Sequence, residues 1–167
     1  MRETTIVTIL VACLLLAAPF IVQYNHGTGS GTLDGLAYLS STHPGDAGAV
    51  AYLRTLPGDE ILVEAEKGDY SYYSRVSSFT GIPALIGQPF HEFMWRGDDT
   101  GWYSARPAAI RAIYEDPEQT LPLMKKYNAT LLYVGDPERE RYTVTLPYTG
   151  LTKVYSAENT AIYRISG

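Results

Sequence analysis

Residues 130–135, TLLYVG, are the stretch of sequence on which the fold depends. A short run of apolar and β-favouring residues that stops at a glycine is typical of a strand buried on both faces. A second apolar run at 61–63 follows the turn sequence Pro57-Gly58-Asp59 and ends at Glu64. A helix, a tight turn and a buried strand in this order indicate an α/β sheet.

Proline and capping signals predict helices around these strands. The predicted helices begin at Pro44 after a Thr42 or His43 cap, run from a Ser104 cap to Tyr114, run from Pro117 to about Tyr127, and form one turn at His91–Trp95. Further strands are predicted at 83–86, 151–155 and 161–165, the last two closing as an antiparallel hairpin around Asn159. The predicted fold is α/β, a small mixed sheet flanked by helices with a C-terminal β-hairpin.

The apolar run Ile6–Val22, IVTILVACLLLAAPFIV, is predicted to be one transmembrane helix. Counted from Thr4 the run has 19 residues, and at 1.5 Å per residue it spans about 28 Å, close to a hydrocarbon core of about 30 Å. A cleaved signal peptide is the rival interpretation, because Arg2 supplies a short positive segment. Against cleavage, Ala17-Ala18 is followed by Pro19 and more apolar residues.

Three segments follow from this interpretation. They are a transmembrane helix at 1–24, a linker at 25–36 that contains GTGSGTLDG, and an extracytoplasmic α/β domain at 37–167. Arg2 is the only Lys or Arg near the span, which places the N-terminus in the cytoplasm. The predicted location is the cell membrane, single-pass, with the lipid bilayer as a partner.

Composition limits the functions available. The net charge is −5 with no basic tract, so no nucleic acid partner is predicted. Cys13 is the only cysteine, so no disulfide can form within the chain and the fold must depend on packing. Fourteen Tyr against four Phe suit half-buried surfaces and grooves.

Polar residues lie on both sides of the predicted strand at 83–86, with the segment 75–81 before it and the segment 91–97 after it. Ligands in open α/β sheets bind beyond the carboxyl ends of strands, and Glu64 also ends a strand. We therefore expect one shared crevice. Its candidate ligand-binding residues are Glu64, Tyr70, Arg75, His91, Glu92, Trp95 and Arg96.

Three interpretations of this crevice stay open. A divalent metal would use Glu64, His91 and Glu92, although Trp95 occupies the position at which the HExxH motif needs its second His. An anion or sugar site would use Arg75 and Arg96 for a phosphate and Trp95 for a sugar face. A buried ion-pair network that holds a long loop is the third. No catalytic residue is identifiable, and no cofactor is predicted apart from that possible metal.

Residues 136–142, DPERERY, are predicted to form an exposed turn, because their charges alternate, with either local ion pairs or an arginine that faces a partner. Asn128-Ala129-Thr130 is an N-glycosylation sequon, which matters only outside the cytoplasm.

A series of short motifs extends through nearly all of the chain after residue 32. The motifs are Leu33-Asp34-Gly35, Tyr38-Leu39, Glu64-Ala65, Gly68, Tyr70, Arg75-Val76-Ser77, Thr80-Gly81-Ile82-Pro83, Gly87, His91-Glu92, Trp95-Arg96-Gly97, Ile113-Tyr114, Lys126-Tyr127-Asn128, Tyr133-Val134-Gly135, Glu138-Arg139 and Tyr142. In this order they resemble the C-terminal part of the archaeal and chloroflexal "YYY" multi-pass membrane proteins, a family of unknown function. The chain departs from the family pattern at Gln88, where Trp is expected, at Ile82 for Leu, and at Asp136-Pro137 for Pro-Leu.

The resemblance implies a larger assembly. Proteins of this family carry many transmembrane helices and are similar to lipid-phosphate-dependent glycosyltransferases, whose catalytic carboxylate lies in an early extracytoplasmic loop. This chain has one predicted span and no such loop. The resemblance therefore implies a C-terminal fragment or split-gene product without the catalytic membrane part, so whether the chain is itself an enzyme stays open.

The partners implied are other transmembrane helices or a separately encoded membrane subunit, and a polyprenyl-phosphate sugar. The expected function is an accessory or substrate-positioning extracytoplasmic domain of a glycosyltransferase-like membrane protein. Two alternatives stay open, a structural docking module without a ligand and a metal-dependent extracytoplasmic hydrolase.

Overall fold

The computed structural model describes residues 6–13, 15–16, 34–68, 70–97, 101 and 104–166. The chain divides into two units, Met1–Gly35 and Leu36–Gly167. In the first unit, residues 6–13 and 15–16 are helical. No helix within the described residues is long and apolar enough to cross a membrane. The predicted span Ile6–Val22 and the predicted linker lie partly outside the described residues.

The second unit contains helices and strands in alternation. The helices are α1 (Ala37–Thr42), α2 (Pro44–Leu53), α3 (Arg75–Thr80), α4 (Pro89–Arg96), α5 (Arg106–Glu115), α6 (Pro117–Lys126) and α7 (Asp136–Arg141). The strands are β1 (Leu62–Val63), β2 (Leu131–Val134), β3 (Leu151–Ala157) and β4 (Thr160–Ile165).

The four strands form one mixed sheet in the order β1-β2-β4-β3. β1 pairs with β2 in parallel, with Leu62 opposite Leu131. β4 pairs antiparallel with both β2 and β3. The prediction of a small mixed sheet flanked by helices and closed by a C-terminal hairpin is confirmed.

The side chains of β2 explain its uninterrupted apolar sequence. Successive residues of a strand point to opposite faces of the sheet. Leu131 and Tyr133 pack on one face with residues of α2 and α3, whereas Leu132 and Val134 pack on the other with residues of α5 and α6. Because helices cover both faces, every position of β2 is buried, and no polar alternation marks the strand.

The strand predicted at 83–86 is wrong in extent. Only Ala84 forms a bridge with β1, opposite Leu62. Two backbone bonds flank it, from Leu62 N to Pro83 O at 2.8 Å and from Leu85 N to Leu62 O at 2.8 Å. Pro83 has no N–H to donate, so the ladder cannot extend through it.

Two helix boundaries also differ from the prediction. The single turn expected at His91–Trp95 is the eight-residue helix α4, which begins at Pro89 because proline suits the first turn of a helix. The helix expected from a Ser104 cap begins instead at Arg106, after an Ala105 cap that makes no side-chain hydrogen bond.

Tyr114 connects α5 to the centre of the sheet. Its buried hydroxyl donates to Tyr133 O at 2.7 Å and lies 3.3 Å from Val63 O, so it reaches both parallel strands. Tyr148 is also buried, but its hydroxyl has no hydrogen-bond partner among the described residues. These two buried tyrosines therefore differ in whether the hydroxyl makes a hydrogen bond to the described residues.

We expect Tyr114→Phe to lower the free energy of unfolding by about 1–2 kcal/mol, because it removes a buried hydrogen bond. Tyr148→Phe is the matched control and should be neutral or slightly stabilising, since it deletes a buried hydroxyl that is not hydrogen-bonded. Urea denaturation of both variants measures the difference, and equal effects would contradict the role assigned to Tyr114.

Candidate functional site

Arg75 lies between two carboxylates at the end of the sheet where the parallel strands finish. It is the first residue of α3 and is 4% exposed. Its Nε donates to Asp46 Oδ2 at 2.5 Å and its Nη2 to Asp46 Oδ1 at 3.2 Å. On the other side, Nη1 and Nη2 donate to Glu138 Oε1 and Oε2 at 3.1 and 3.2 Å. Both pairs are bidentate, which fixes the plane of the guanidinium.

Two tyrosines complete the surroundings of this ion pair. The hydroxyls of Tyr72 and Tyr133 both donate to the Asp46 carboxylate. Their ring centroids lie 5.1 and 5.2 Å from the Arg75 guanidinium carbon. Burial by itself would raise the pKa of Asp46, but the hydrogen bonds and charge of Arg75 outweigh it and lower that pKa. Asp46 is therefore a charged carboxylate at neutral pH.

Glu138 is the residue that the sequence interpretation misplaced. The exposed turn predicted at 136–142 is wrong, because α7 occupies these positions and Glu138 is 0% exposed. Besides Arg75, its carboxylate accepts the backbone N–H of Ala65 at 3.0 Å and of Gly135 at 2.8 Å. Four donors compensate for the burial of its charge. The predicted local ion pairs are replaced by long-range ones, such as Arg141 with Glu66 at 3.1 Å.

Gly135 makes this close approach possible. A Cβ atom at position 135 would lie 2.9 Å from Arg75 Nη2 and 3.1 Å from Glu138 Oε2. Gly135 therefore does more than end β2. It leaves room for the guanidinium and the carboxylate to meet beside the backbone.

The Glu64 carboxylate accepts hydrogen bonds from the backbone at the start of α3. Glu64 is buried, and the donors are the backbone N–H groups of Val76 at 2.8 Å and Ser77 at 2.9 Å. Burial raises its pKa to about 7, in spite of these hydrogen bonds, and the nearby charge of Glu138 adds to the rise. Asp46, Glu64, Arg75, Tyr133 and Glu138 form what we call the buried cluster.

A groove runs along the outer side of α3, between α3 and α4. It consists of two adjoining cavities of about 510 and 380 Å³. They share the residues Ser77, Ser78, Gly87, Glu92 and Arg96. The larger cavity is also lined by His91 and Trp95, and the smaller one by Arg106. We call this the α4 groove.

The polar residues of α4 are engaged with their neighbours. Arg96 Nε donates to Glu92 Oε2 at 2.9 Å across one helical turn. His91 Nε2 and the Tyr70 hydroxyl are 2.8 Å apart, and their rings meet edge to face. Trp95 stands at the rim of the groove and is 87% exposed.

The structure divides the single crevice expected from sequence into two places. His91, Glu92, Trp95 and Arg96 come together in the α4 groove, and Tyr70 joins them through His91. Glu64 and Arg75 lie in the buried cluster and do not line the groove. The physical reason is that α3 stands between the two sets. Arg75 points inward from this helix, whereas Ser78 is exposed on its outer side.

The three metal candidates from sequence are separated as well. Glu64 accepts from the backbone of α3, His91 contacts Tyr70, and Glu92 pairs with Arg96. In the part of the chain that the structure describes, no group of three or more His, Cys, Asp or Glu side chains has the arrangement to hold a metal ion.

The α4 groove combines chemical groups that suit an anionic, hydroxyl-bearing ligand. Two arginines provide positive charge, two serines provide hydroxyls, and an exposed indole provides a flat apolar face. Comparison of the chain with protein-family models, with curated proteins and with solved structures finds no match. The family resemblance and the roles of the candidate residues stay predictions.

We expect Arg75→Met to destabilise the fold by about 3–5 kcal/mol, because it leaves Asp46 and Glu138 buried without their counter-ion. Arg111→Ala is a suitable control, since Arg111 pairs with Glu115 at 2.9 Å on an exposed helix surface, and such pairs contribute less than about 1 kcal/mol. Chemical denaturation compares the two. Similar losses of stability would show that the buried cluster does not hold the fold.

We expect Glu64 to make the wild-type protein less stable as pH rises. Its folded-state pKa of about 7 lies above the ordinary glutamate value of 4.5, so its contribution is fully present below pH 4.5 and is lost as pH rises through 7. The loss amounts to about 3 kcal/mol. In Glu64→Gln this dependence should disappear, so the difference in unfolding free energy between variant and wild type should change over this range. A constant difference between pH 4.5 and 8 would refute the raised pKa.

Proposed function

We propose that this chain is an accessory, substrate-positioning extracytoplasmic domain of a glycosyltransferase-like membrane protein. In this proposal it is a C-terminal part without the catalytic membrane portion, anchored by Ile6–Val22, and the α4 groove receives the head of a polyprenyl-phosphate sugar. The observation that carries the proposal is the α4 groove itself, which holds four of the candidate ligand residues side by side.

Arg96 is suited to a phosphate group. Its side chain is more than half exposed, and its Nε pairs with the Glu92 carboxylate at 2.9 Å. An exposed ion pair of this kind contributes little stability, so Arg96 can exchange the carboxylate for a phosphate at small cost. Arg106, Ser77 and Ser78 line the same groove as Arg96. Guanidinium groups and hydroxyls are the usual protein ligands of phosphate.

Trp95 is suited to the sugar. Its exposed ring at the rim offers an apolar face beside the polar groove, and ligand sites commonly pair aromatic faces with a few placed polar groups. The departure at Gln88 is compatible with this arrangement, since Gln88 also lines the groove and brings an amide where an aromatic residue was expected.

The carboxylates of the buried cluster support a positioning role over a catalytic one. Asp46, Glu64 and Glu138 are all buried, and each is bonded to donors of the protein itself. Carboxyl groups in such a setting are occupied by donors of the protein and do not line the α4 groove. Glu92 is the carboxylate that lines the groove together with Arg96. The proposal therefore assigns the transfer chemistry to another membrane portion.

The test titrates the full-length chain, in detergent micelles, with a short-chain polyprenyl phosphate that carries one sugar. We expect Arg96→Ala to weaken binding at least tenfold, because one charge-assisted hydrogen bond is worth about 1.5–3 kcal/mol. Arg111→Ala is the matched control, as both arginines pair with a glutamate one turn away at 2.9 Å.

Calorimetry gives the dissociation constants. Loss of affinity in Arg96→Ala with wild-type affinity in Arg111→Ala supports the groove as the binding site. Absence of saturable binding to the wild type, or equal affinity in an Arg96→Ala, Trp95→Ala double variant, would overturn the proposal.

A further inference from the structure

Helix α4 presents its apolar side to the outside. Met94 is 63% exposed, Phe90 is 56% exposed, and none of the eight residues of α4 is buried. At about 100° per residue, Phe90 and Met94 lie about 40° apart on one side of the helix, and Trp95 lies about 100° further round from Met94, beyond His91. Glu92 and Arg96 lie on the other side and line the groove. A surface helix of a soluble domain has the opposite orientation, with its apolar stripe toward the core.

Tyr70 extends this apolar surface beyond the helix. It is 84% exposed, and its ring stands edge-on against His91 with centroids 4.9 Å apart. His91 and Trp95 are one turn apart on α4, so the tyrosine and the tryptophan belong to one continuous surface. We call the surface formed by Tyr70, Phe90, Met94 and Trp95 the α4 face. Exposed apolar surfaces of this kind mark places where a partner binds.

We infer that the α4 face lies in the interfacial region of a lipid bilayer. The size of the face argues against a protein partner. α4 is about 12 Å long, and four side chains of this size expose on the order of 500 Å², whereas a stable protein interface buries about 800 Å² on each partner. A bilayer sets no such minimum, and tryptophan and tyrosine are the residues most enriched at its surface.

The length of the connecting chain provides an independent argument. Thirteen residues separate Val22, the end of the apolar run, from Leu36, where the compact unit begins. Fully extended, they reach at most about 45 Å. This argument rests on the anchor that the proposed function assumes. With Ile6–Val22 across a bilayer, the connecting chain would keep the compact unit within about 45 Å of the membrane, so a small apolar face can bind at a high local concentration of lipid.

The charges of α4 determine which lipid the face fits. Glu92 and Arg96 neutralise each other at 2.9 Å, and α4 contains no other Asp, Glu, Lys or Arg. The whole chain has a net charge of −5. Electrostatic attraction to anionic lipid therefore does not drive the contact. The α4 face inserts apolar side chains, and a zwitterionic phosphatidylcholine surface is sufficient for it.

The membrane contact also gives the groove an orientation. With the apolar side of α4 in the interface, the side that carries Glu92 and Arg96 lies at the level of the lipid headgroups. The phosphate of a membrane-embedded polyprenyl lipid is at that same level. The α4 face thereby presents the α4 groove to the lipid head without lifting the substrate out of the bilayer.

The test reconstitutes the full chain into phosphatidylcholine vesicles, with Trp102→Phe so that Trp95 is the single tryptophan. We expect a blue-shifted emission and strong quenching by lipids brominated near the glycerol end of the acyl chain. The control moves the probe to another exposed apolar position, with Leu146→Trp, Trp95→Phe and Trp102→Phe. It should be quenched at most a third as much as the Trp95 protein.

A second variant, Met94→Glu in the Trp95-only protein, should lower the quenching at least threefold and leave the melting temperature unchanged, because Met94 is not part of the core. Vesicle association with unquenched Trp95, or quenching that disappears when the protein is diluted in lipid because a second copy covers the face, overturns this inference alone. Failure to associate with vesicles overturns it together with the anchor. No sugar lipid is present, so the outcome is independent of ligand binding by the groove.

Discussion

The two bidentate ion pairs of Arg75 with buried carboxylates are the interactions that the rest of this structure requires. Asp46 comes from the first turn of α2, Glu138 from α7, and Arg75 from α3, so one guanidinium joins three helices at the end of the sheet. Burying three charges is costly, and attraction compensates for it only when the hydrogen bonds are nearly complete. Here each carboxylate accepts four, with Tyr72, Tyr133 and two backbone N–H groups supplying those that Arg75 does not.

This cluster gives the α4 groove one rigid wall. Glu64 and Arg75 fix α3 from its inner side, through the backbone N–H groups of its first turn and through the guanidinium. Ser77 and Ser78 are then presented on the outer side of the same helix, facing α4. The buried cluster and the α4 groove are linked through α3, because they lie on opposite sides of this helix. Residues that never touch the groove determine where its serine hydroxyls stand, so Glu64 and Arg75 matter to the site without lining it.

The parts of the fold that sequence predicted are those determined by local patterns. Short apolar runs predicted β1 and β2, because both faces of each strand are covered and every residue is buried. Pro117 predicted the start of α6. His91, Glu92, Trp95 and Arg96 lie together because they are neighbours on one helix. Pro83 was overlooked as a strand breaker within an apolar run, although its missing N–H is a local fact.

Local sequence patterns could not predict the buried cluster. Its members are 29 and 63 residues apart along the chain, and nothing in DPERERY indicates that its first glutamate meets an arginine so distant. A partial signal was present, because Pro137 followed by Glu138 resembles the first turn of a helix. Recognising α7 would still not have shown that Glu138 points inward. The rule that ligands bind at strand ends placed Glu64 and Arg75 in the same region as the groove, but it does not distinguish the two sides of α3.

The two walls of the groove differ in what holds them, and this difference bears on function. α3 is tied down by buried charges, whereas α4 has no buried residue and its best-defined ion pair is exposed. Unfolding α4 locally therefore exposes little new apolar surface, and its contribution to the stability of the domain is small. Because α4 buries no side chain in the core, the exposure of Met94 and Trp95 costs the domain little free energy of unfolding. Within the described residues, the side chains of α4 make polar, exposed contacts, namely His91 with Tyr70 and Arg96 with Glu92, so this wall of the groove depends on weaker contacts than α3 does.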